Sequence, residues 1–213
     1  MSEFVHLHVH SQYSMLDSSL RLKAMCASAK AAGMHAVALT DHGNMFGAVQ
    51  FSNECKKQGV KPILGCEVNM CLDRKAQASP THLVLLARSQ EGYKNLVKLT
   101  SLGWVEGYAQ GKPRIDFEQL AEHSKGLVGL SACMGGYLAQ EVLQKGEAAG
   151  RLALDKLRSC FESDAFFVEL QDHGFVEQKP LNDILISLAR EFELPLVATN
   201  DCHYLERKNA HAQ

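Results

Sequence analysis

Seven short apolar runs divide the chain, and stretches of helical periodicity separate them. The runs are rich in Val and Leu, which is typical of strands that are buried on both faces. They occupy residues 4–9, 36–40, 62–68, 82–87, 127–131, 166–170 and 196–199. The helical stretches occupy residues 20–32, 48–58, 93–102, 137–145, 151–161 and 176–192, with a shorter helix at 117–123. Repeated strand–helix alternation predicts an α/β fold with a parallel sheet and right-handed crossovers.

The number of strand–helix units fits one domain that spans residues 1–213. Seven units in a chain of this length favour a closed or nearly closed barrel, and an open doubly wound sheet is the alternative. A linker rich in glycine and proline is predicted at residues 103–114. Residues 206–213 have the pattern of another helix that is cut short, so we expect the chain to continue in a longer protein.

Composition limits the classes of partner. The formal net charge of −2 argues against a freestanding nucleic-acid-binding protein, because binding to the phosphate backbone depends on clustered Lys and Arg. A phosphate substrate is still compatible, since bound divalent metals would add positive charge. No apolar run reaches the roughly 18 residues of a membrane span, so no membrane partner is expected. Seven cysteines without a CxxC pair, and an N-terminus without a secretory signal, predict a reduced protein in the cytoplasm.

Three histidines alternate along the first predicted strand. His6, His8 and His10 would project to one face of that strand, and the valines and leucine between them would project to the other. Three imidazoles make a poor apolar core but a good metal platform, because neutral imidazole is a favoured ligand for zinc, manganese and iron. The alternative is an exposed strand that carries polar residues.

Other candidate ligands follow apolar strands where those strands end. These residues are His42, Glu67, Cys133, Asp201 and His203. Because the carboxyl ends of parallel strands in a barrel meet at one rim, we expect the metal site to lie at that rim. Asp17 is a further candidate, although it is equally suited to cap a helix. His82 begins its strand, which places it at the wrong rim unless that strand is irregular or antiparallel; otherwise His82 is structural.

Four more residues are candidates for supporting roles. Asp41 could be a ligand, but it is equally suited to orient His42 or another imidazole from behind it, and His6 is suited to the same role. His173 follows the sixth predicted strand and is a candidate for substrate contact, and Arg114 is a candidate for contact with a scissile phosphate. The remaining histidines, His35, His123 and His211, lie on predicted helix surfaces or caps and are read as solvated.

Several segments together resemble a known family. HLHVHS at residues 6–11, TDHGN at 40–44, GCE at 65–67 and NDCH at 200–203 resemble motifs of the polymerase and histidinol phosphatase (PHP) superfamily. FGAV at 46–49, KPILG at 61–65, HLVLLA at 82–87, GYKNL at 92–96, KPRID at 112–116 and ELQDHG at 169–174 narrow the resemblance. They are similar to the PHP domain at the N-terminus of the bacterial DNA polymerase III alpha subunit. Segment 73–80 is shorter than the usual connection of that family.

This resemblance implies a fold and a set of metal ligands. The expected fold is a distorted seven-stranded (β/α)7 barrel of the PHP type. The expected cofactors are three divalent metal ions, which could be zinc, manganese or iron. The nine implied ligands are His8, His10, Asp17, His42, Glu67, His82, Cys133, Asp201 and His203.

The resemblance also divides these ligands among the metals. His8, His10 and Asp201 would hold one metal together with Glu67, which would bridge to a second metal held by His82 and Cys133. Asp17, His42 and His203 would hold the third. Glu67, Asp201 and His10 are the expected catalytic residues.

The function implied by the resemblance is 3′–5′ exonuclease (proofreading) activity within a DNA-replicating polymerase subunit. Its expected partners are a DNA 3′ end and the other replicase subunits, which would be reached through the full-length chain. This segment lacks the polymerase parts and is not expected to polymerise DNA. Two alternatives are a small-molecule phosphatase of the histidinol-phosphate type, and a non-catalytic metal-stabilised scaffold that docks a separate proofreading nuclease.

Overall fold

The computed structural model describes residues 4–74 and 79–212, so part of segment 73–80 lies outside the described residues. Seven α-helices occur in the described part: α1 (Leu22–Ala31), α2 (Ala48–Gln58), α3 (Gln90–Val105), α4 (Phe117–His123), α5 (Tyr137–Lys145), α6 (Glu147–Arg158) and α7 (Gln178–Glu191). The strands are β1 (Ala36–Leu39), β2 (Lys61–Cys71), β3 (Thr81–Ala87), β4 (Arg114–Asp116), β5 (Leu127–Leu130), β6 (Phe166–Leu170) and β7 (Leu196–Ala198). A 3-10 helix follows at Arg207–Ala212, where the sequence predicts a helix start.

The strands form one curled, mixed sheet in an α/β fold. Its order is β1-β2-β3-β5-β6-β7, and β4 pairs with β2 beside this path. The pairs that involve β3 are antiparallel and the others are parallel. The prediction of an all-parallel sheet was therefore wrong at β3. Fewer than a dozen residues join β2 to β3, and a parallel neighbour needs a crossover of about a dozen or more.

The predicted strand at residues 4–9 was wrong as a regular strand, because only Val9 forms a bridge, with Cys202. The segment nevertheless makes backbone hydrogen bonds on both sides. Ala38 N donates to His6 O (2.9 Å) on the side of β1, and His10 N donates to Cys202 O (2.8 Å) beyond β7. The N-terminal segment thus contacts both outer edges of the sheet.

Most predicted helices and strands lie within a few residues of the observed ones. The exception is the predicted linker at residues 103–114, because α3 continues to Val105 and Arg114 begins β4. The Ser89 side chain accepts a hydrogen bond from Gly92 N (3.0 Å) and so caps α3, which begins at Gln90, three residues before the predicted start.

Alternate residues of β3 enter two different apolar clusters. Leu83 and Leu85 pack with residues of the helices, whereas Val84 and Leu86 pack with interior residues of the neighbouring strands. Full burial of each of these side chains contributes about 1.5–3 kcal/mol. The sheet is therefore covered on both faces at β3, which fixes the register of this strand beside its neighbours. Among the described helices, none combines the length and apolar character that crossing a membrane requires.

Candidate metal centre

The N-terminal segment delivers two fully buried imidazoles to the candidate site. His8 Nε2 lies 2.9 Å from Glu67 Oε2 and 3.2 Å from Asp201 Oδ1. His10 Nε2 lies 2.9 Å and 3.1 Å from the same two oxygens. Two imidazoles and two carboxylates thus converge on one small volume, although they come from opposite ends of the chain.

Eight of the nine predicted ligands fall into three overlapping groups that could hold a metal ion. Within each group the candidate ligand atoms lie within 4.8 Å of one another. The groups are His8, His10, Glu67 and Asp201; His10, His42 and His203; and Glu67, His82 and Cys133. His10 and Glu67 each belong to two groups, so adjacent ions could share them as ligands.

The reversed direction of β3 explains the position of His82. This residue begins β3, and β3 is antiparallel to its neighbours, so its first residues lie at the same end as the carboxyl ends of the parallel strands. His82 Nδ1 contacts Glu67 Oε1 and lies 3.7 Å from Cys133 Sγ. The sequence-based alternative of an antiparallel strand is confirmed.

Asp17 is the predicted ligand that stays outside the three groups. Its carboxylate is 60% exposed, and its Oδ2 lies 3.7 Å from His42 Nε2. His10 takes the place that the sequence-based grouping gave to Asp17 beside His42 and His203. Asp17 therefore lies at the outer edge of the site, within reach of His42 but not among the buried donors.

The backbone is strained at the site. Among the non-glycine residues with a left-handed φ are Leu16 (73°), Ala132 (67°) and Asp201 (46°). The first two immediately precede candidate ligands, and the third is itself a candidate ligand. Such conformations cost about 1–3 kcal/mol each and persist where the surrounding structure enforces them. Here the strain turns the chain so that the following or the same side chain faces the cluster.

Two of the three stacked imidazoles, those of His42 and His203, favour the neutral form. The ring centroids of His10 and His203 lie 4.3 Å apart with nearly parallel planes, and those of His10 and His42 lie 4.1 Å apart. Burial lowers the pKa of His42 to about 4, with further lowering by His10 and His82 against the opposing effect of Glu67. Burial, followed by the neighbouring His10, also lowers the pKa of His203. Neutral imidazole is the form that binds a metal.

The buried carboxylates are held in their ionised form. Burial alone would raise the pKa of Glu67, but the imidazoles of His10, His8 and His82, which contact its carboxylate, hold it well below its usual range. In the same way burial opposes ionisation of Asp201, yet the charge of His8 and the close contact with His10 lower its pKa to about 2. Ionised carboxylates are the form in which these side chains act as metal ligands.

The imidazoles that face these carboxylates have raised pKa values. Burial would lower the pKa of His82, but a hydrogen bond with Cys133 and the contact with Glu67 raise it to about 10. Burial likewise opposes protonation of His8, yet the charges of Glu169 and Asp201 raise its pKa well above the usual range. Positive charge is therefore favoured at the centre of the cluster, where a cation would lie.

Polar atoms without hydrogen bonds support the fit of a metal. His10 Nε2, Glu67 Oε1 and Asp201 Oδ1 are buried and make no hydrogen bond of acceptable geometry, although each lies close to other polar atoms. A buried polar atom with no such bond costs free energy, and metal coordination would satisfy all three. The donor set of imidazoles, carboxylates and one thiol is suited to zinc, manganese or iron.

Glu169 is a functional candidate that the sequence-based list omitted. It is buried in β6, and its Oε1 accepts a hydrogen bond from His8 Nδ1 (2.8 Å), so His8 Nε2 is left to face the cluster. Gln171 Nε2 (2.9 Å) and the Thr199 hydroxyl donate to the same oxygen. A lone glutamate inside the apolar run FFVEL was the signal that could have identified it.

Asp41 is connected to His10 through a serine. Asp41 accepts hydrogen bonds from Ser11 N (2.6 Å), from the Ser11 hydroxyl (2.8 Å) and from the Ser14 hydroxyl (2.8 Å). Because Ser14 gives its proton to Asp41, its oxygen accepts from His10 Nδ1 (3.1 Å). His10 Nε2 is thereby left free for a metal.

Three other predicted residues are not brought into the cluster. His6 faces a separate small cavity that it shares with Val9, because the N-terminal segment does not alternate like a regular strand. Arg114 is buried, and its Nε donates to Gly107 O (3.3 Å), so it supports the 103–114 segment and does not line the large cavity. His173 is exposed and lines an adjoining cavity together with Asp201 and His203.

A cavity of about 670 Å³ opens over the cluster. Seven of the nine candidate ligands line it: Asp17, His42, Glu67, His82, Cys133, Asp201 and His203. His8 and His10 lie beneath it, fully buried. The centre therefore has a closed inner side and an open outer side from which a substrate could approach.

Comparison with known proteins identifies the family. The PHP domain family matches residues 6–173. Over 99% of the chain, 43% of residues are identical to the DNA polymerase III subunit alpha of Treponema pallidum, and over all of it 42% are identical to that of Borreliella burgdorferi. The chain is also 42% identical to the Thermus aquaticus subunit. It spans only 18–19% of the length of these relatives.

Solved structures with low sequence identity share the fold. A structure described as a metal-dependent phosphoesterase from Bifidobacterium adolescentis superposes with a TM-score of 0.58 at 14% identity, covering 93% of this chain and 87% of that one. An amidohydrolase from Chromobacterium violaceum gives a TM-score of 0.58 at 15% identity, covering 94% and 87%. The sequence match, its extent and this shared fold agree: the chain belongs to the PHP domain family.

Proposed function

We propose that this chain is the PHP domain of a DNA polymerase III alpha subunit and that it hydrolyses phosphodiester bonds at a DNA 3′ end with divalent metals. One observation carries the proposal. Eight ligand-type side chains from across the chain meet in three groups that share His10 and Glu67. Such adjacent sites suit phosphoester hydrolysis, in which charge gathers on the attacking and the leaving oxygen together.

The protein side chains would bind and orient the metals. One ion would be held by His8, His10, Glu67 and Asp201. A second ion would be held by Glu67 together with His82 and Cys133. His42 and His203, with Asp17 at the outer edge, would hold a third. These ions would supply Lewis acidity, which makes water acidic enough to attack at neutral pH and offsets the charge of the phosphodiester.

The two carboxylate oxygens of Glu67 contact different groups of candidate ligands. Its Oε2 faces His8 and His10, and its Oε1 faces His82, so this carboxylate is placed to bridge two ions. The N-terminal segment contacts both outer edges of the sheet, and we propose that it completes a distorted seven-stranded barrel with the metal centre at its rim. The cytoplasm is the compartment in which the reduced cysteines and the replicase partners would both be found.

The substrate assignment rests on the relatives. These are polymerase subunits, and their similarity extends over nearly the whole of this chain. A DNA 3′ end is the phosphodiester that a replicative polymerase presents when it proofreads. The rest of such a subunit, and other replicase subunits, would be the partners of this domain.

The test is a nuclease assay with metal analysis. Purified protein should contain two or three equivalents of zinc, manganese or iron, and should shorten a 5′-labelled single-stranded oligonucleotide from its 3′ end until chelator is added. His8→Ala combined with Asp201→Ala should abolish both metal content and cleavage. His35→Ala is the matched control, since His35 is exposed on the surface outside the cluster.

Each alternative function gives its own result. Hydrolysis of a small phosphomonoester without cleavage of DNA would indicate a phosphatase of the histidinol-phosphate type. Metal content with no hydrolysis, together with melting on chelation, would indicate a scaffold that docks a separate nuclease. Undiminished nuclease activity in the double variant would place the chemistry elsewhere.

A further inference from the structure

Exposed aromatic side chains stand at the mouth of the cavity over the metal centre. Trp104 and Phe46 line this cavity and are 44% and 69% exposed. Tyr108 is 55% exposed and stacks on Trp104, with ring centroids 5.3 Å apart and planes 17° from parallel. Large exposed apolar side chains that gather at a cavity mark a binding surface more often than scattered ones do.

The aromatic pair is fixed to the metal centre. The Trp104 indole Nε1 donates to Gly43 O (2.8 Å), which belongs to the turn immediately after His42. Pro113 packs so closely on Gly43 that a Cβ there would lie 2.6 Å from the proline ring. Asn69 Nδ2 donates to Pro113 O (3.1 Å), which ties the same segment to β2. Because these contacts hold the indole, it would lose little freedom when a ligand stacks on it.

One cation accompanies the aromatic rings. Lys112 is exposed and is the one lysine or arginine among the described residues that line the cavity. The backbone directs it there through a tight turn, in which Gln110 and Gly111 have left-handed φ values of 52° and 80° and the backbones of Ala109 and Lys112 bond to each other. The mouth thus combines planar apolar faces with a positive charge.

Exposed aromatic rings beside a positive charge are typical of surfaces that bind unpaired nucleic acid. Aromatic rings stack on bases of any sequence, and a lysine nearby attracts the phosphate backbone. A small phosphomonoester would use only the buried floor of the cavity and would leave these rings exposed. A strand whose terminal phosphodiester lies at the metal centre would instead place its adjacent bases at the mouth.

We propose that Trp104, Phe46 and Lys112 form a stacking subsite that holds the unpaired bases next to the scissile phosphate. This inference rests on the proposed function, because it places a nucleic-acid strand over the metal centre. The subsite would select single-stranded ends by stacking and would show little preference for base identity. Tyr108 stacks on one face of the indole, and a base would contact the indole surface that stays exposed.

A binding assay with matched oligonucleotides tests the subsite. The probes are fluorescein-labelled oligothymidylates with hydrolysis-resistant phosphorothioate linkages at the 3′ end. One carries its terminal bases, and the other has abasic sites at the same positions and therefore equal charge. Anisotropy titrations with the chain should give a dissociation constant about tenfold lower for the base-containing probe.

Variants then locate the effect. Trp104→Ala should weaken binding of the base-containing probe to the level of the abasic one and leave the abasic probe unaffected. Phe46→Ala should reduce the same difference, and it avoids any loss of the Trp104 hydrogen bond to Gly43. Lys112→Ala should weaken both probes equally and reduce the salt dependence by about one unit of slope. Leu152→Ala, an exposed residue on α6, is the control that should change nothing.

Equal affinity of the unmodified chain for the two probes would overturn the proposal. So would a base-dependent difference that survives in both Trp104→Ala and Phe46→Ala. If Trp104→Ala does not fold, Phe46→Ala decides the outcome. Because binding needs no turnover, base-dependent binding without cleavage would remove the nuclease function and leave the subsite in place.

Discussion

Nδ1 of His8 lies 2.8 Å from Oε1 of Glu169, and both side chains are completely buried. This pair sets the tautomer of His8, because a carboxylate that accepts from Nδ1 leaves Nε2 to face the cluster. The three hydrogen-bond donors around Glu169 address the same oxygen, and Oε2 has no hydrogen bond. Glu169 therefore acts on the candidate metal centre through His8 rather than as a ligand.

Glu169→Gln isolates the charge of this residue from its shape. The amide oxygen can take the place of Oε1 and keep the same three donors, while the amide nitrogen takes the unbonded position. We expect metal affinity to fall about 10- to 100-fold, because the neutral partner makes the imidazole less basic. Competition with a chelating dye measures this loss.

Glu162→Gln is the control for that experiment, since Glu162 lies on the surface and pairs with Arg88. The two variants should melt within a few degrees of each other, provided that the geometry around His8 is kept. Unchanged metal affinity in Glu169→Gln would show that the buried charge supports only the packing of β6.

Asp41→Asn should weaken both the fold and the metal centre. The carboxylate accepts hydrogen bonds from Ser11 N, the Ser11 hydroxyl and the Ser14 hydroxyl. The NH₂ group of an asparagine would face at least one of these three donors and could not accept its hydrogen bond. Loss of hydrogen bonds to a buried charge costs about 1.5–3 kcal/mol each. At roughly 2–4 °C per kcal/mol, the melting temperature should fall by several degrees.

The same substitution should reduce metal affinity, because Ser14 would no longer be fixed as the acceptor for His10 Nδ1. Asp155→Asn is a suitable control, since Asp155 is exposed and pairs with Arg158 on the same helix. A variant that loses stability but binds metal as the unchanged chain does would separate Asp41 from the orientation of His10.

The candidate ligands could be selected from the sequence because strands end in unusual residues. His42 and Cys133 each follow a buried strand closely, and His203 follows the more exposed strand β7. Strand ends meet in space whatever the details of the sheet. Eight of the nine predicted ligands are therefore found together. His82 could be placed only with the structure, because the direction of β3 depends on the length of its connection to β2.

Other features escaped prediction for physical reasons. His6 departs from His8 and His10 because strict alternation of faces requires a regular strand, and the N-terminal segment bridges to the sheet only at Val9. Glu169 looked like part of an apolar strand until its burial beside His8 was known. The arginine at position 114 was assigned to substrate from its charge, yet β4 and Gly107 bury it.

The protonated form of His82 stabilises the metal-free fold, so the metal-free protein should become less stable as the pH rises and this proton is lost. A hydrogen bond with Cys133 and the contact with Glu67, acting against burial, raise the pKa of His82 from 6.5 to about 10 in the folded chain. A raised folded pKa contributes stability that is complete below about pH 6.5 and is lost as pH rises through about 10. Urea unfolding of chelated protein should therefore show a decrease in the free energy of unfolding across this window.

The difference between the unchanged chain and His82→Gln isolates this contribution from those of other groups. The variant should show a smaller decrease over the same window, whereas His35→Gln on the surface should follow the unchanged chain. Parallel curves for all three proteins would mean that His82 does not carry the proton.

Metal binding should release protons from the imidazoles that face the carboxylates. At about pH 8, His82 is protonated in the metal-free fold because its pKa is raised to about 10, and His8 is shifted in the same direction. Only neutral imidazole coordinates a metal, so each ion must displace the proton from the ligand it takes. The apparent affinity should therefore rise with pH. Titration calorimetry in two buffers of different ionisation enthalpy counts the protons that are released.

His82→Gln should release fewer protons, because the glutamine side chain has none to give up at that position. Its remaining release would come from His8 and His10, whose pKa values are both raised. Glu67→Gln gives the complementary result, since removing the charge that holds these protons should reduce release while also removing the shared ligand. Buffer-independent heats in the unchanged chain would contradict the electrostatic account of the site, because they would mean that the imidazoles are already neutral before a cation arrives.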